Sequence, residues 1–410
     1  MKDYPAGSFT EPGPAMADPI PFRAKPRTAA RSAVVVGAGI GGLACAIALR
    51  RAGLTVQVVE QARKLREVGA GLQLTPNATR ILRDFGLLPR LEQVAVTPRS
   101  LDVRSGASGA TITRAHYGPA ASRYGAPFLV VHRADLQNLL AEAAEAEGVL
   151  IALNSELTAV EPAFGGVRAV VKQGENLIAH GADILVGADG VRSAVRAHLG
   201  VARPPVFAQR LAYRATIPVP ARHPPDVRLY MGRDAHLVVY PVKGGATLNL
   251  VAIVKHTEPV ARWSAPGDGA AVHAAFADWA PEVRELLKAA PHFLCWGLYD
   301  IDPLPRWSTG RVTLLGDAAH AMLPFLAQGA AQGIEDAAAL ARALQKETDA
   351  ASALKAYEAE RLGRTARIQS EARRNGMVYH LSGAPRLARD LVLRRQGGAL
   401  LDRYGWIYRA

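Results

Sequence analysis

SAVVVGAGIGGLACAIALRRAGLTVQVVE, residues 32–60, is the stretch whose reading decides the fold. An apolar run (Ala33 to Val36) meets a glycine-rich turn, a helical stretch to Ala52 and a second apolar run from Leu54 to Val59. Strand, turn, helix and strand of this length form one βαβ unit. Gly37, Gly39 and Gly42 fall in the order GxGxxG. The first permits the tight turn, the second lets the backbone approach a diphosphate, and the third lets helix and strand pack closely. The diphosphate then faces a helix N-terminus, where free N–H groups and the helix dipole favour negative charge. Glu60 closes the second strand, where a carboxylate accepts hydrogen bonds from adenosine ribose hydroxyls and repels a 2′-phosphate. The tightly held nucleotide is therefore expected to be FAD or NAD, not NADP.

The 410 residues, 49% of them hydrophobic, suffice for one large domain or two interleaved ones. The net charge of +13 is spread through the chain rather than gathered in a run. It describes a basic surface suited to anionic ligands, not a nucleic-acid footprint. Cys45 and Cys295 make no metal-ligand spacing, so no metal is expected. No apolar stretch approaches the roughly 20 residues of a membrane span. Residues 1–31, rich in Pro, Ala and Gly, lack the apolar centre of a secretory signal and read as a flexible tail. A cytoplasmic location follows as the expectation.

Beyond the first unit, helical periodicity runs from Asn77 to Asp84 and from Asp135 to Glu147. Glu156 to Glu161 and Val167 to Lys172 read as a hairpin. Between Arg210 and Val254 four short strands follow one another, which indicates an antiparallel sheet inserted into an α/β protein. Long helices are expected from Gly329 to Gln345 and from Ala350 to about Asn375. The expected fold is α/β: a Rossmann-type nucleotide-binding domain (32–105, 128–200 and 305–345) interleaved with a substrate domain (106–127 and 201–304) that contains the antiparallel sheet. A C-terminal helical region (346–410) completes it.

Two further motifs each place an Asp after a short apolar strand: GADGVRSAVR at 187–196 and GDAAHAMLPFLAQGAAQGIED at 316–336. Ligands of open α/β sheets bind at that strand edge. Asp189 or Asp317 alone could equally be a helix cap. Together with GAGIGG, the chain from about Ala33 to about Arg373 resembles the single-component, FAD-dependent aromatic hydroxylases, the group that includes salicylate hydroxylase, 3-hydroxybenzoate 6-hydroxylase and 6-hydroxynicotinate 3-monooxygenase. The resemblance implies that Glu60 holds the ribose, Asp317 the ribityl or diphosphate region, and Arg133 of VHRADLQ the diphosphate. Asp189 belongs to the same cofactor set, and Gln137 lies beside it. It further implies that Gly71 and Leu72 skirt the flavin and that Pro324 to Ala330 runs along its ring, with Gly329 and Ala330 offering N–H groups. Many relatives carry GQG where this chain has Ala327, Gln328 and Gly329, and an Asn where it has Ala331.

The reaction implied by the resemblance uses NADH or NADPH, transiently bound, to reduce FAD. Oxygen then forms a flavin C4a-hydroperoxide that attacks an activated ring. His236 and Tyr240, four apart in RDAHLVVYPVKGG, project to one face of a strand. The segment resembles the H-x-V-x-Y-P stretch of salicylate-type hydroxylases, with His236 as proton acceptor and Tyr240 as a ligand for a phenol or carboxylate. Tyr213 and Arg214 are secondary substrate candidates, and His320 is either a flavin-motif residue or a helix-start residue. The expected partners are a small, carboxylated aromatic compound, O2 and NAD(P)H, with the chain as monomer or homodimer. Two alternatives stand beside this reading: a related monooxygenase for a larger, nonaromatic or polyketide-like substrate, and a non-catalytic FAD-fold binding protein.

Overall fold

The computed structural model describes residues 28–65, 71–201, 203–220, 223–259 and 265–409. A six-stranded sheet runs in the order Ser308–Thr309, Val312–Leu314, Ile184–Gly187, Ser32–Val36, Thr55–Val59 and Leu150–Ala152. All its pairings are parallel except that between the first two strands. Strand Ser32–Val36 and its neighbour Ile184–Gly187 are buried nearly throughout, as a sheet with helices on its faces requires. Helix Ile40–Arg51 has nine buried residues, Cys45 among them, and packs against helix Gly329–Lys346.

The second layer is an eight-stranded sheet in the order Ala265–Gly267, Phe293–Asp300, Val206–Pro218, Thr247–Lys255, Ala235–Val242, Val227–Gly232, Ser100–Ser105 and Thr111–His116. Its four central strands are those expected between Arg210 and Val254, each longer by one or more residues. Ser100–Ser105 falls within the segment 32–105 expected in the nucleotide-binding domain, and it pairs in parallel with Val227–Gly232 in this sheet. A three-stranded meander, Glu156–Ala163, Gly166–Gln173 and Asn176–Ala182, contains the expected hairpin. Gly71–Leu74 pairs with Leu129–His132 as a small separate ribbon. Helices Ala350–Tyr379 and Gly383–Gln396 form the C-terminal region.

Residues 28–31, expected within the tail, are tied into the fold. Ala30 is buried, Ala29 N–H donates to Leu344 O at 2.8 Å, and Arg31 N–H donates to Asp183 Oδ2 at 2.6 Å. The remainder of the expected tail, 1–27, lies outside the described residues. Among the described residues no helix is long and apolar enough to cross a membrane.

The glycine turn is fixed by backbone contacts. Gly37 has φ +104°, and a Cβ there would lie 2.5 Å from Ala188 O; a Cβ on Gly42 would lie 2.0 Å from Gly37 O. Both obstacles are backbone atoms and cannot swing aside. Gly42→Ala should therefore destabilise the fold by at least about 1–3 kcal/mol, the usual range for overpacking. Urea unfolding measures this, and an unchanged midpoint would refute the close packing.

Candidate active site

A cavity of about 600 Å³ separates the two layers. Its first wall is mostly backbone: Gly39 at the start of helix Ile40–Arg51, Ala188 and Gly190 after strand Ile184–Gly187, and Gly329 and Ala330 at the start of helix Gly329–Lys346. Arg133 and Asp317 add charge to this side, and Pro324 borders it. The opposite wall comes from the eight-stranded sheet: Arg214, His236, Tyr240 and Trp296. Gly71 and Leu72 join the walls. Gly71 N–H donates to Asn249 Oδ1 at 2.7 Å, and a Cβ on Gly71 would meet the Tyr240 ring at 2.6 Å.

Several expected cofactor residues stand behind this lining. Glu60 Oε2 accepts from Ala38 N–H at 2.7 Å and Oε1 from Ala62 N–H at 2.8 Å, so its carboxylate braces the glycine turn. Gln137 Nε2 donates to Ala38 O at 2.9 Å, while its Oε1 is buried without a partner. Asp189 acts as a cap: Oδ2 accepts from Ala194 N–H at 2.7 Å and Val195 N–H at 3.1 Å. Burial pushes its carboxyl above the usual range against these bonds, and Oδ1 has no partner. Ser193 caps the same helix, and Arg196 donates to Val191 O and Ala318 O, tying this motif to the next. The second motif thus shapes the cavity edge through Ala188 and Gly190.

Tyr213 faces away. Adjacent strand residues alternate sides, so with Arg214 lining the cavity, Tyr213 packs edge-on against Phe293 in the core beyond the sheet. Arg214 lies over the Trp296 ring at 5.2 Å, and its Nε is buried without a partner. Burial pulls its guanidinium below the ordinary value, and nearby Tyr240 opposes that. Arg133 is open to the cavity but closely surrounded by protein. Burial first, then Arg214, pulls it down, against Asp317. Burial pushes the Tyr240 phenol up. His236 is pulled well below the ordinary imidazole value by burial, then by His380 and Arg210.

Residues that sequence reasoning missed hold the third motif in place. Asp336 Oδ2 accepts from Gly316 N–H at 2.9 Å and lies 2.6 Å from His320 Nε2, while Oδ1 accepts from Arg361 Nε at 2.7 Å. His320 is buried in this network, a structural position rather than a cavity-facing one. Glu335 accepts from Arg361, Arg364, Asn77 and Gln332. Burial works against both carboxylates, yet the charged partners win: Asp336 is held down to about 2, chiefly by His320 and Arg361, and Glu335 falls below its usual value. Gln328, at the altered GQG position, turns into the same network through Thr75 and Asn77. Ala327 adopts φ +54°, a conformation that favours Gly, and Ala331 is wholly buried.

The donor set suits a nucleotide diphosphate. Gly39 has nothing within 4 Å of where a Cβ would sit, its helix start carries no side-chain cap, and Arg133 stands at the same wall. The model of the FAD binding domain family matches residues 31–372. The chain belongs to that family. Its cofactor is FAD. This flavoprotein is 38% identical over 383 residues to 3-amino-4-hydroxybenzoate 2-monooxygenase PtmB3 of Streptomyces platensis, covering 91% of this chain and 94% of that one. It is 38% identical over 357 residues to the 6-hydroxynicotinate 3-monooxygenase of Bordetella bronchiseptica, covering 85% and 91%. It also resembles the crystal structure of Klebsiella pneumoniae HpxO complexed with FAD and uric acid, with 27% identity and a TM-score of 0.81, covering 90% of this chain and 94% of that one.

Arg361 is 3% exposed and faces two buried carboxylates. Arg361→Met should destabilise the protein by about 3–5 kcal/mol, because it leaves buried charge uncompensated. Denaturant unfolding with bound flavin would show it; a loss under 1 kcal/mol would mean that the cluster is not the clamp described.

Proposed function

We propose that this flavoprotein uses NAD(P)H and O2 to hydroxylate a small phenolic or N-heteroaromatic acid in the cytoplasm. The observation that carries the reading is Arg214: a guanidinium facing the cavity beside Trp296, with a buried Nε that lacks a partner. Such a group calls for an anion, and a planar fork suits a carboxylate. Trp296 offers a flat face to an aromatic ring. The named relatives act on a hydroxybenzoate and a hydroxynicotinate, which are compact acids of this kind. Two cysteines, both free and buried, accord with a reducing compartment.

In this reading Gly39 and the first amides of helix Ile40–Arg51 hold the FAD diphosphate with Arg133. Asp317, Gly329 and Ala330 accompany the rest of the cofactor, while Glu60, Gln137 and Asp189 shape the turns that receive it. Bound flavin supplies electron transfer from the nicotinamide and the activation of oxygen. The chain's own residues do the rest. Arg214 anchors the acid group, and Tyr240 hydrogen-bonds the substrate's polar edge. His236 governs the ionisation of the ring hydroxyl that makes the ring electron-rich. Val238, Leu298 and Met322 line the cavity with apolar surface that excludes water.

The purified protein should be yellow and should oxidise NADH or NADPH faster with a hydroxylated benzoate or nicotinate, giving a hydroxylated product by mass spectrometry. A yellow protein that no pyridine nucleotide reduces would favour the non-catalytic reading instead. Arg214→Met should raise KM for the acid roughly 10- to 100-fold, the worth of a charge-assisted hydrogen bond. KM for the matching carboxamide should change little, and equal effects on both would remove Arg214 from carboxylate recognition. His236→Ala should keep FAD and lose hydroxylation; unchanged product formation would remove His236 from the reaction.

A further inference from the structure

His236 reaches the outer part of the molecule through a second histidine. Its Nδ1 lies 2.8 Å from His380 Nε2, and His380 Nδ1 lies 3.4 Å from Arg210 Nη2. The three come from different elements: Arg210 from strand Val206–Pro218, His236 from strand Ala235–Val242, and His380 from the end of helix Ala350–Tyr379. That helix end is pinned by Arg389, whose Nη1 donates to Val378 O and Tyr379 O.

The direction of the hydrogen bonds follows from what each group can do. A guanidinium only donates, so His380 Nδ1 accepts. A neutral imidazole has one donor and one acceptor nitrogen, so His380 carries its proton on Nε2 and donates it to His236 Nδ1. By the same rule His236 carries its own proton on Nε2, the nitrogen left for the cavity that this residue lines. Every surrounding group keeps both rings neutral or leaves the order unchanged. Burial and Arg210 bring His380 down to about 4, with Arg389 adding to them and Asp234 opposing. Burial, His380 and Arg210 lower His236, whose ring also meets Phe325 and Tyr379 edge-on at 5.2 Å and 5.3 Å. On the cavity side Tyr240 is a neutral phenol beside Arg214.

We propose that Arg210, acting through His380, fixes His236 as an N–H donor, so that the site selects a substrate whose ring oxygen is already ionised and stabilises that oxyanion. Arg210 and His380 are positioning residues; His236 is the group that touches the substrate. This deepens the hydroxylase reading and rests on it. It replaces the proton-acceptor role expected for His236 with a donor role: the phenolic proton leaves to solvent before or during binding, and no imidazolium forms.

The test has two readouts on the holoenzyme. Long-range 1H–15N correlation with 15N-labelled imidazoles, assigned with H236N and H380N, should show His236 protonated on Nε2 and bare on Nδ1 at pH 7. Arg210→Met should release the pair to a mixture of tautomers with flavin content unchanged. The second readout is the chromophoric probe 4-hydroxy-3-nitrobenzoate, whose bound nitrophenolate band should titrate about one unit lower than that of the free probe, a tenfold gain in ionisation. R210M should lose most of that shift, while H380Q, whose amide nitrogen stands where Nε2 does and still donates to His236 Nδ1, should keep most of it. A proton on His236 Nδ1, a bound probe with an unchanged or raised pKa, or a probe that fails to bind would each overturn the proposal. Absence of aromatic hydroxylation would sink the hydroxylase reading alone, since the tautomer is read without turnover.

Discussion

Two helix starts meet backbone to backbone at the edge of the cavity: a Cβ on Gly333 would lie 3.2 Å from Gly41 Cα, and one on Gly41 would lie 3.0 Å from the Leu315 side chain. Much of the site depends on this approach. It brings the N-terminal ends of helices Ile40–Arg51 and Gly329–Lys346 to one wall, where unpaired amides and helix dipoles favour anions. Because small residues are required there, the helix starts themselves offer N–H groups, and Arg133 and Asp317 supply the charged side chains of that wall. The facing sheet adds the polar side chains of Arg214, His236 and Tyr240 to the same space.

Glycine contact permits the approach but does not hold it, since two glycines offer little surface to bury. The clamp is the buried cluster behind them. Asp336 joins Gly316 N–H, His320 and Arg361, and Glu335 joins Asn77, Arg361 and Arg364. Burying these charges is costly in itself, and such clusters add little net stability. Their effect lies in the penalty for partial opening, because separating any one partner strands a charge away from water. The loop that borders the cavity after His320 is thereby fixed relative to both helices.

What was legible in the sequence was local. The glycine turn, Glu60 and the strand-end aspartates declare themselves because each is defined by neighbours within one βαβ unit or one turn. Sidedness was harder: Tyr213 and Arg214 are adjacent, so only one can face the cavity, and nothing in the sequence says which strand face is the inner one. Pairings across long separations left no sign. Ser100–Ser105 joins Val227–Gly232 in parallel, and no short-range pattern records such a partner. Arg361, in a run of charges on a long helix, reads as a solvated face and proves 3% exposed. His380 is invisible for the same reason: its partner His236 is 144 residues away.

The chain's net charge of +13 is dispersed, so it does not by itself aim anions at the cavity. The local arrangement does. Arg133 and Arg214 face one space from opposite walls, and burial first, then Arg214, lowers the Arg133 guanidinium from its ordinary value. That repulsion acts in partly desolvated surroundings, where Coulomb interactions exceed those in water. An anion at either guanidinium relieves it. In the proposed reading, a diphosphate on one wall and an acid group on the other each reduce the repulsion felt at the facing cation.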